Sequence, residues 1–484
     1  MAGFTPNNTP YKPLTAARDG SNFTYESLHS RVPHILTSVI NDFYTTIQGC
    51  TDAAAIAEGK SLTGQLSKLK HEMVTDKQLT PLEEDGVGDI KTWNHWLGLY
   101  FSTATWYTAP FLTWETYMYR RIATIFKRSE YWKQYDFFGE KKEATFRASM
   151  AAVAKMCGRV NALIRDCQAE DRQTRVHYLA FVEMLHASLW GNQTDLSMFP
   201  DLLKTEEALE EMQARITSAG QTNSAKIVVD DTDRVWKEIV GPMRGGRIDI
   251  VLDNAGFELL QDVLLAHWLV SLGYASKIVF HAKRIPWYVS DVTVEDFHWL
   301  VRVAQTPELL LGATKGGMAK ADEAALVALG SQWAGFLANG TWELKDELFW
   351  TGPYGFRYLP SAEEGREVWA GELTRADLVI FKGDLNYRKL IYDLEWPVST
   401  PFGDALGAMA TDPRAPAILA LRTAKCDTIV GVAPDRARAL FAAQRDWLCT
   451  GEYGVIQLNT NEKEENVIQL NTNVKEENMK RNVN

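Results

Sequence analysis

Four short stretches carry side chains suited to phosphoryl chemistry, and each follows an apolar run. The first is Asp253-Asn254-Ala255-Gly256, directly after Ile250-Val251-Leu252. A carboxylate beside an amide carbonyl offers two hard oxygen ligands for Mg2+ or Mn2+. Gly256 allows a tight turn. The helix start that follows, with Glu258 in its first turn, presents backbone amides suited to an anion. The plain structural alternative is an Asp/Asn helix cap with an acidic first turn. The second stretch is Ser290-Asp291, after Ile285-Pro286-Trp287-Tyr288-Val289. If that run is a strand beyond the first pair, Asp291 can complete the metal's protein ligands; alone it reads as a turn or helix cap.

The third stretch is Lys382-Gly383-Asp384-Leu385-Asn386-Tyr387-Arg388-Lys389, after Leu378-Val379-Ile380-Phe381. It is dense in groups that hold a hydroxylated, phosphorylated ligand, and Arg388 suits bidentate phosphate contacts. The fourth is Arg422-Thr423-Ala424-Lys425, after Ile418-Leu419-Ala420-Leu421. There Lys425 would act as a point charge on a transferring group. For these two the structural alternatives are a solvated basic loop and an exposed cationic pair. Together the four divide into anionic metal ligands and cationic phosphate binders, the division that phosphoryl transfer requires.

Such groups need a scaffold that brings strand ends together. From about Tyr25 to Leu189 the pattern is helical, with apolar positions three and four apart over Val32 to Ile47, Trp93 to Tyr107, Phe111 to Phe126, Ala144 to Cys167 and Tyr178 to Leu189. After Trp190 strands and helices alternate. Short apolar runs lie at 225–230, 247–253, 277–281, 377–381, 418–421 and 428–432, and the stretch from Arg247 to His281 reads as a βαβ unit. The expected fold is therefore α/β: a three-layer α/β/α core with a mostly parallel sheet, plus an N-terminal helical domain. In such sheets ligands collect outside the carboxyl ends of the strands. The expected division is an extension over 1–24, a helical domain over 25–200, the catalytic core over 201–454 and a flexible tail over 455–484. In that tail VIQLNTNEKEEN (455–466) is followed by VIQLNTNVKEEN (467–478), a tandem repeat rich in Asn, Glu and Lys.

The formal net charge is −11, which disfavours a nucleic-acid backbone or an anionic membrane as partner. The 5 Cys form no close CxxC pair, and the 9 His show no zinc spacing. No apolar signal core opens the chain and no uninterrupted apolar run spans a membrane. The expected location is cytoplasmic, with nuclear access left open. Most of the 16 Trp, among them Trp93, Trp96, Trp106 and Trp114, are expected in packing.

Asp253-Asn254-Ala255-Gly256-Phe257-Glu258, the stretch Gly383 to Lys389 and the Arg-Thr-x-Lys at 422–425 resemble the damage-control phosphatase family, in its metal-dependent sugar phosphate phosphatase subgroup. Trp114 to Arg121 and Leu189 to Asn192 agree with it as well, and the resemblance covers roughly Tyr25 to Gly454. Phe257, before the Glu, departs from many members. The resemblance implies a divalent metal (Mn2+, Co2+, Ni2+ or Mg2+) held by Asp253, Asn254 and Asp291. It implies substrate contacts at Asp253, Asn254, Glu258, Asp384, Leu385, Asn386, Tyr387, Arg388 and Lys425. It also implies small phosphorylated substrates like fructose 1-phosphate and fructose 6-phosphate. Either Asp253 attacks phosphorus directly, or a water activated at the metal does so with Asp253 or Asp291 orienting it. No haloacid-dehalogenase motif decides for the first route. The alternatives are an S-adenosylmethionine-dependent carboxyl (protein-glutamate) methyltransferase, against which stands the lack of a GxGxG loop, and a non-catalytic sensor of sugar phosphates.

Overall fold

The computed structural model describes residues 5–17, 19–20, 22–172, 174–191, 224–311, 319–361 and 363–460. Seven strands form one sheet: β1 (Ile227–Asp230), β2 (Gly246–Val251), β3 (Ala275–His281), β4 (Trp342–Lys345), β5 (Leu378–Lys382), β6 (Ala417–Thr423) and β7 (Gly454–Asn459), in the order β1-β7-β6-β5-β2-β3-β4. The five strands β2 to β6 are mutually parallel. β7 runs antiparallel to β6 and parallel to β1.

The strands of a sheet covered on both faces read as continuous apolar runs, because both side-chain directions enter a core. Here alternate residues divide cleanly. Ile248, Ile250, Leu378, Ile380, Leu419 and Leu421 join one core, while Val251, Val379, Phe381, Ile418 and Ala420 join the other. The helix Phe257–Ser271 links β2 to β3 as a βαβ unit and is buried over nearly its whole length, from Phe257 to Leu269. It lies between the sheet and an outer helix, Arg175–Gly191, which explains an apolar character on all its sides.

The N-terminal helices do not form one body. Residues from Leu28 to Phe138 pack into the core that holds Val251 and Phe381, whereas Phe146 to Trp190 pack into the core that holds Ile250 and Trp268. The helical region expected over 25–200 is thus split between the two faces, and its described part helps to build the three layers. Trp93, Trp106 and Trp114 are fully buried and Trp96 nearly so.

Several expectations are corrected. The run 285–289 is a turn rather than a strand; Tyr288 and Val289 adopt φ of 43° and 70°. The run 428–432 is not a strand either: Gly431 and Val432 donate their amides to the carbonyls of Thr400 and Val398. β4 and the helix Ala53–Val74 lie outside the segments expected from periodicity. The first repeat copy does not begin a loose tail. Val455 to Asn459 belong to β7, with Ile456 fully buried between β1 and β6. The rest of the expected tail, 461–484, lies outside the described residues.

Candidate functional site

The chain leaves β2 toward β3 and β4, then returns to the other side of β2 as β5 and continues to β6. The carboxyl ends of β2 and β5 therefore diverge at a topological switch point, where an open α/β sheet forms a crevice. Asp253 and Asn254 follow β2, and Gly383 and Asp384 follow β5. Gly383 has φ of +82°, and a Cβ on it would lie 1.7 Å from Asp253 Oδ2. Only glycine permits this approach of the β5 turn to the carboxylate.

Asp291 reaches the same point through the strained turn before it. Left-handed φ at a β-branched residue such as Val289 is costly and persists where surrounding bonds enforce it. Those bonds are present: Ala255 donates its amide to Ser290 O at 2.7 Å, Val292 donates to Asp253 O at 2.8 Å, and Asp291 donates to Trp287 O at 3.1 Å. Asn254 and Asp291 form an isolated antiparallel bridge. So the second carboxylate arrives by cross-bridging to the β2 turn instead of from a neighbouring strand.

Asp253, Asn254 and Asp291 are 3%, 4% and 2% exposed, and all three line one pocket with Asp384, Leu385, Arg388 and Lys425. Two buried carboxylates and an amide carbonyl are a hard-oxygen set that fits a small divalent cation. Among the described residues no cluster of three or more His, Cys, Asp and Glu forms an all-side-chain cage. Lys283 sits 3.2 Å from Asp291 Oδ2 and donates to Leu252 O at 2.8 Å, holding that carboxylate in place.

The amide of Asn254 is oriented from both ends. Its Nδ2 donates to Asp253 Oδ2 at 2.9 Å and to Glu258 Oε2 at 2.7 Å, and its Oδ1 accepts from Ser290 at 2.6 Å. Glu258, expected as a substrate contact, is fully buried behind the pocket, with its Oε1 3.3 Å from Lys382 Nζ. Lys382 also meets Asp262 at 2.9 Å and donates to Ser188 O at 2.6 Å. Burial opposes the charge of Lys382, but Asp262 and Glu258 more than restore it, so its pKa is raised. Burial likewise pushes the Asp262 carboxyl up to about 6.

The helix Gly383–Ile391 is buried at every position, so each of its polar groups needs a partner. Asp384 accepts from Arg422 Nε at 2.7 Å and from the Lys425 amide at 3.1 Å, which ties the third and fourth stretches together. Asn386 donates to the carbonyls of Leu252 and Lys382, clamping the two turns. Tyr387 donates to Gln457 Oε1 at 2.8 Å, an anchor in β7. Asn386 and Tyr387 thus build the crevice without lining the pocket. Arg388 does line it, but its fork is engaged: Nε and Nη2 bind Asp393, and Nη1 donates to Glu115 at 2.9 Å. Its charge is thus matched by two carboxylates; Lys425, 2% exposed, lines the same pocket. Lys389 turns away and donates to Gly352 O at 2.6 Å; burial, with Lys283 and Arg388 near it, lowers its pKa to about 7.

The sequence reading missed five residues of the pocket lining: Phe23, Arg31, Phe111, Glu115 and Tyr288. Glu115 is the acidic residue inside Trp114 to Arg121, the stretch that agreed with the family in the helical half, and that agreement was its signal. Arg31 and Phe23 carried none, because nothing linear connects them with strand ends more than two hundred residues away.

Against this geometry, the comparisons with known proteins are decisive. Residues 27–440 match the Damage-control phosphatase ARMT1-like domain. This chain belongs to the damage-control phosphatase ARMT1-like family. Proteins named Damage-control phosphatase ARMT1 are similar to it along nearly their whole length. The mouse (Mus musculus) protein is 34% identical, covering 92% of this chain and 98% of its own. The Xenopus tropicalis protein is 34% identical, covering 93% and 98%. The human (Homo sapiens) protein is 32% identical, covering 91% and 97%. The damage-control phosphatase match takes in Arg31, Glu115 and all four chemical stretches, whereas Phe23 and β7 lie outside it.

Proposed function

We propose that this chain is a divalent-metal-dependent phosphatase acting on small phosphorylated metabolites, reactive sugar phosphates such as fructose 1-phosphate and fructose 6-phosphate among them. The observation that carries the reading is the convergence of Asp253, Asn254, Asp291 and Lys425 on one pocket at the switch point between β2 and β5. Asp253, Asn254 and Asp291 would hold the cation, Mn2+, Co2+, Ni2+ or Mg2+, which when bound draws charge from the phosphoryl oxygens and the leaving alkoxide.

The chain's own residues do the rest. Lys425 presents a buried positive charge to the phosphoryl group. Ser290 and Glu258 hold the Asn254 amide in one orientation, and Lys283 holds Asp291. Gly383 lets the backbone lie against Asp253, so that this carboxylate faces the phosphorus as nucleophile or orients the attacking water. Among the described residues no helix is long and apolar enough to cross a membrane. All five cysteines are free, which supports a reducing compartment, cytoplasmic with nuclear access. The carboxyl methyltransferase alternative would leave Asp253, Asp291 and Lys425 without a task.

The test is phosphate release from a panel of sugar phosphates by the purified chain with each of the four metals and with EDTA, beside Asp253→Ala. Metal-dependent release abolished by the substitution is expected. No release with any metal would refute the reading.

A further inference from the structure

Part of the pocket lining comes from the N-terminal helices, far in sequence from the strands. Arg31 ends a π-helical turn, Ser27–Arg31, set between the helices Phe23–Glu26 and Val32–Gln48. A single π turn displaces the side chains that follow it, and such turns recur at functional sites. Here it delivers Arg31 to the fully buried Glu115 of the helix Phe111–Lys127. Glu115 Oε1 accepts from Arg31 Nη2 at 2.6 Å, and Oε2 accepts from Arg388 Nη1 at 2.9 Å and from the Tyr288 hydroxyl at 3.1 Å. Arg388 is fixed further by Asp393 and by the face of Phe111, 4.3 Å from its Cζ.

The charges in this array balance. Burial acts against the charge of Arg31 and Glu115 restores it; at Arg388 burial is outweighed by Asp393 and Glu115. Two guanidinium groups thus stand against two carboxylates. A phosphate dianion placed here would be repelled by Glu115 and Asp393 and would have to displace them. An alcohol, donor and acceptor at once, joins such an array without changing its charge. A guanidinium beside a carboxylate also matches two adjacent hydroxyls in spacing and in polarity. Asp253, Asp291 and Lys425 line the same pocket, and none of them bonds to the array in the contacts above.

We propose that the Arg31–Glu115–Arg388 array recognises the alcohol portion of the substrate. In it Arg31 is a specificity-determining residue that donates to hydroxyls of a polyhydroxylated leaving group, and Glu115 is a positioning residue that aims both arginines. The inference rests on the phosphatase reading and adds which residues take the alcohol half of the ester.

The experiment compares a hexose phosphate with para-nitrophenyl phosphate, which has no hydroxyl on its leaving group. It uses the full chain, Arg31→Met and Arg31→Lys, with a thermal melt of each. The ratio of kcat/KM for the hexose phosphate to that for the aryl phosphate is expected to fall at least about ten-fold in Arg31→Met, mostly through KM. Arg31→Lys keeps the charge but loses the planar fork, and its ratio is expected to fall as well; it carries the test if Arg31→Met does not fold. An equal loss on both esters, or an unchanged ratio, would overturn the proposal while leaving the phosphatase reading intact. No phosphate release by the unmodified chain from either ester would overturn both.

Discussion

Gly383 and Asp253, one at the end of β5 and one beyond β2, approach so closely that a Cβ on Gly383 would fall 1.7 Å from Asp253 Oδ2 and 2.7 Å from its Cβ. The two turns are therefore fitted to each other.

Gly383→Ala follows directly. The substitution combines a φ of +82° with that overlap, so the β5 turn must shift. A cost of roughly 1–3 kcal/mol is expected from the backbone alone. Because Asp253 must move, phosphate release is expected to fall by about two orders of magnitude or more, as for other displacements of about 1 Å at reacting groups. A melt and an activity assay check this together; a variant with wild-type activity would contradict the fitted-turn account.

Asp291→Asn removes the charge of one proposed metal ligand and leaves Lys283 buried without its carboxylate at 3.2 Å. Breaking one side of a buried ion pair costs about 3–5 kcal/mol. Weaker Mn2+ binding in a direct titration is expected along with a lower melting temperature in EDTA. Asp291→Asn and Lys283→Met combined should recover part of the stability but none of the metal affinity.

Lys382→Met tests the support behind Asn254. It strands Glu258 and Asp262, two fully buried carboxylates whose shared cation lies 3.3 Å and 2.9 Å away. Without Lys382 the Asp262 carboxyl, already raised by burial, binds its proton more tightly still in the folded chain than in the unfolded one. A raised folded pKa gives stability at low pH that is lost as pH rises. The deficit of Lys382→Met, about 3–5 kcal/mol near neutral pH, should therefore shrink toward pH 5 in chemical denaturation.

His281 supplies a second pH dependence, on the opposite side of neutrality. Burial opposes its charge, yet its bonds to Asp249 at 3.0 Å and Glu347 at 3.1 Å raise its pKa to about 9. The folded value lies above the ordinary 6.5, so the stabilisation is full below about pH 6.5 and fades as pH climbs through 9. It is on the order of 3 kcal/mol, at 1.36 kcal/mol per pKa unit. Melts of the wild type and His281→Gln from pH 6 to 10 should converge at the alkaline end; a constant gap would show that the imidazole is neutral throughout.

The sequence by itself determined the layer architecture and which polar residues leave the ends of β2, β5 and β6. Runs such as Ile248 to Leu252 and Leu378 to Phe381 are apolar because both faces of the sheet are covered, and the polar residues that follow them necessarily emerge at strand ends. Local order is enough for that inference. It was not enough for Asp291, whose preceding apolar run is a left-handed turn stabilised by cross-bridging to Asp253 and Ala255, bonds with no periodic signature. Nor could it reveal β7. Its apolar residues open a polar repeat, and their partner strands β1 and β6 lie far back in the chain. Only the tertiary structure decided that Arg388 spends its fork on Glu115 and Asp393, that Glu258 and Tyr387 support the site without lining it, and that Arg31 closes it. Each of those outcomes is a contact between segments distant in sequence, set by how helices pack on the sheet, and residue order does not encode such packing in any short window.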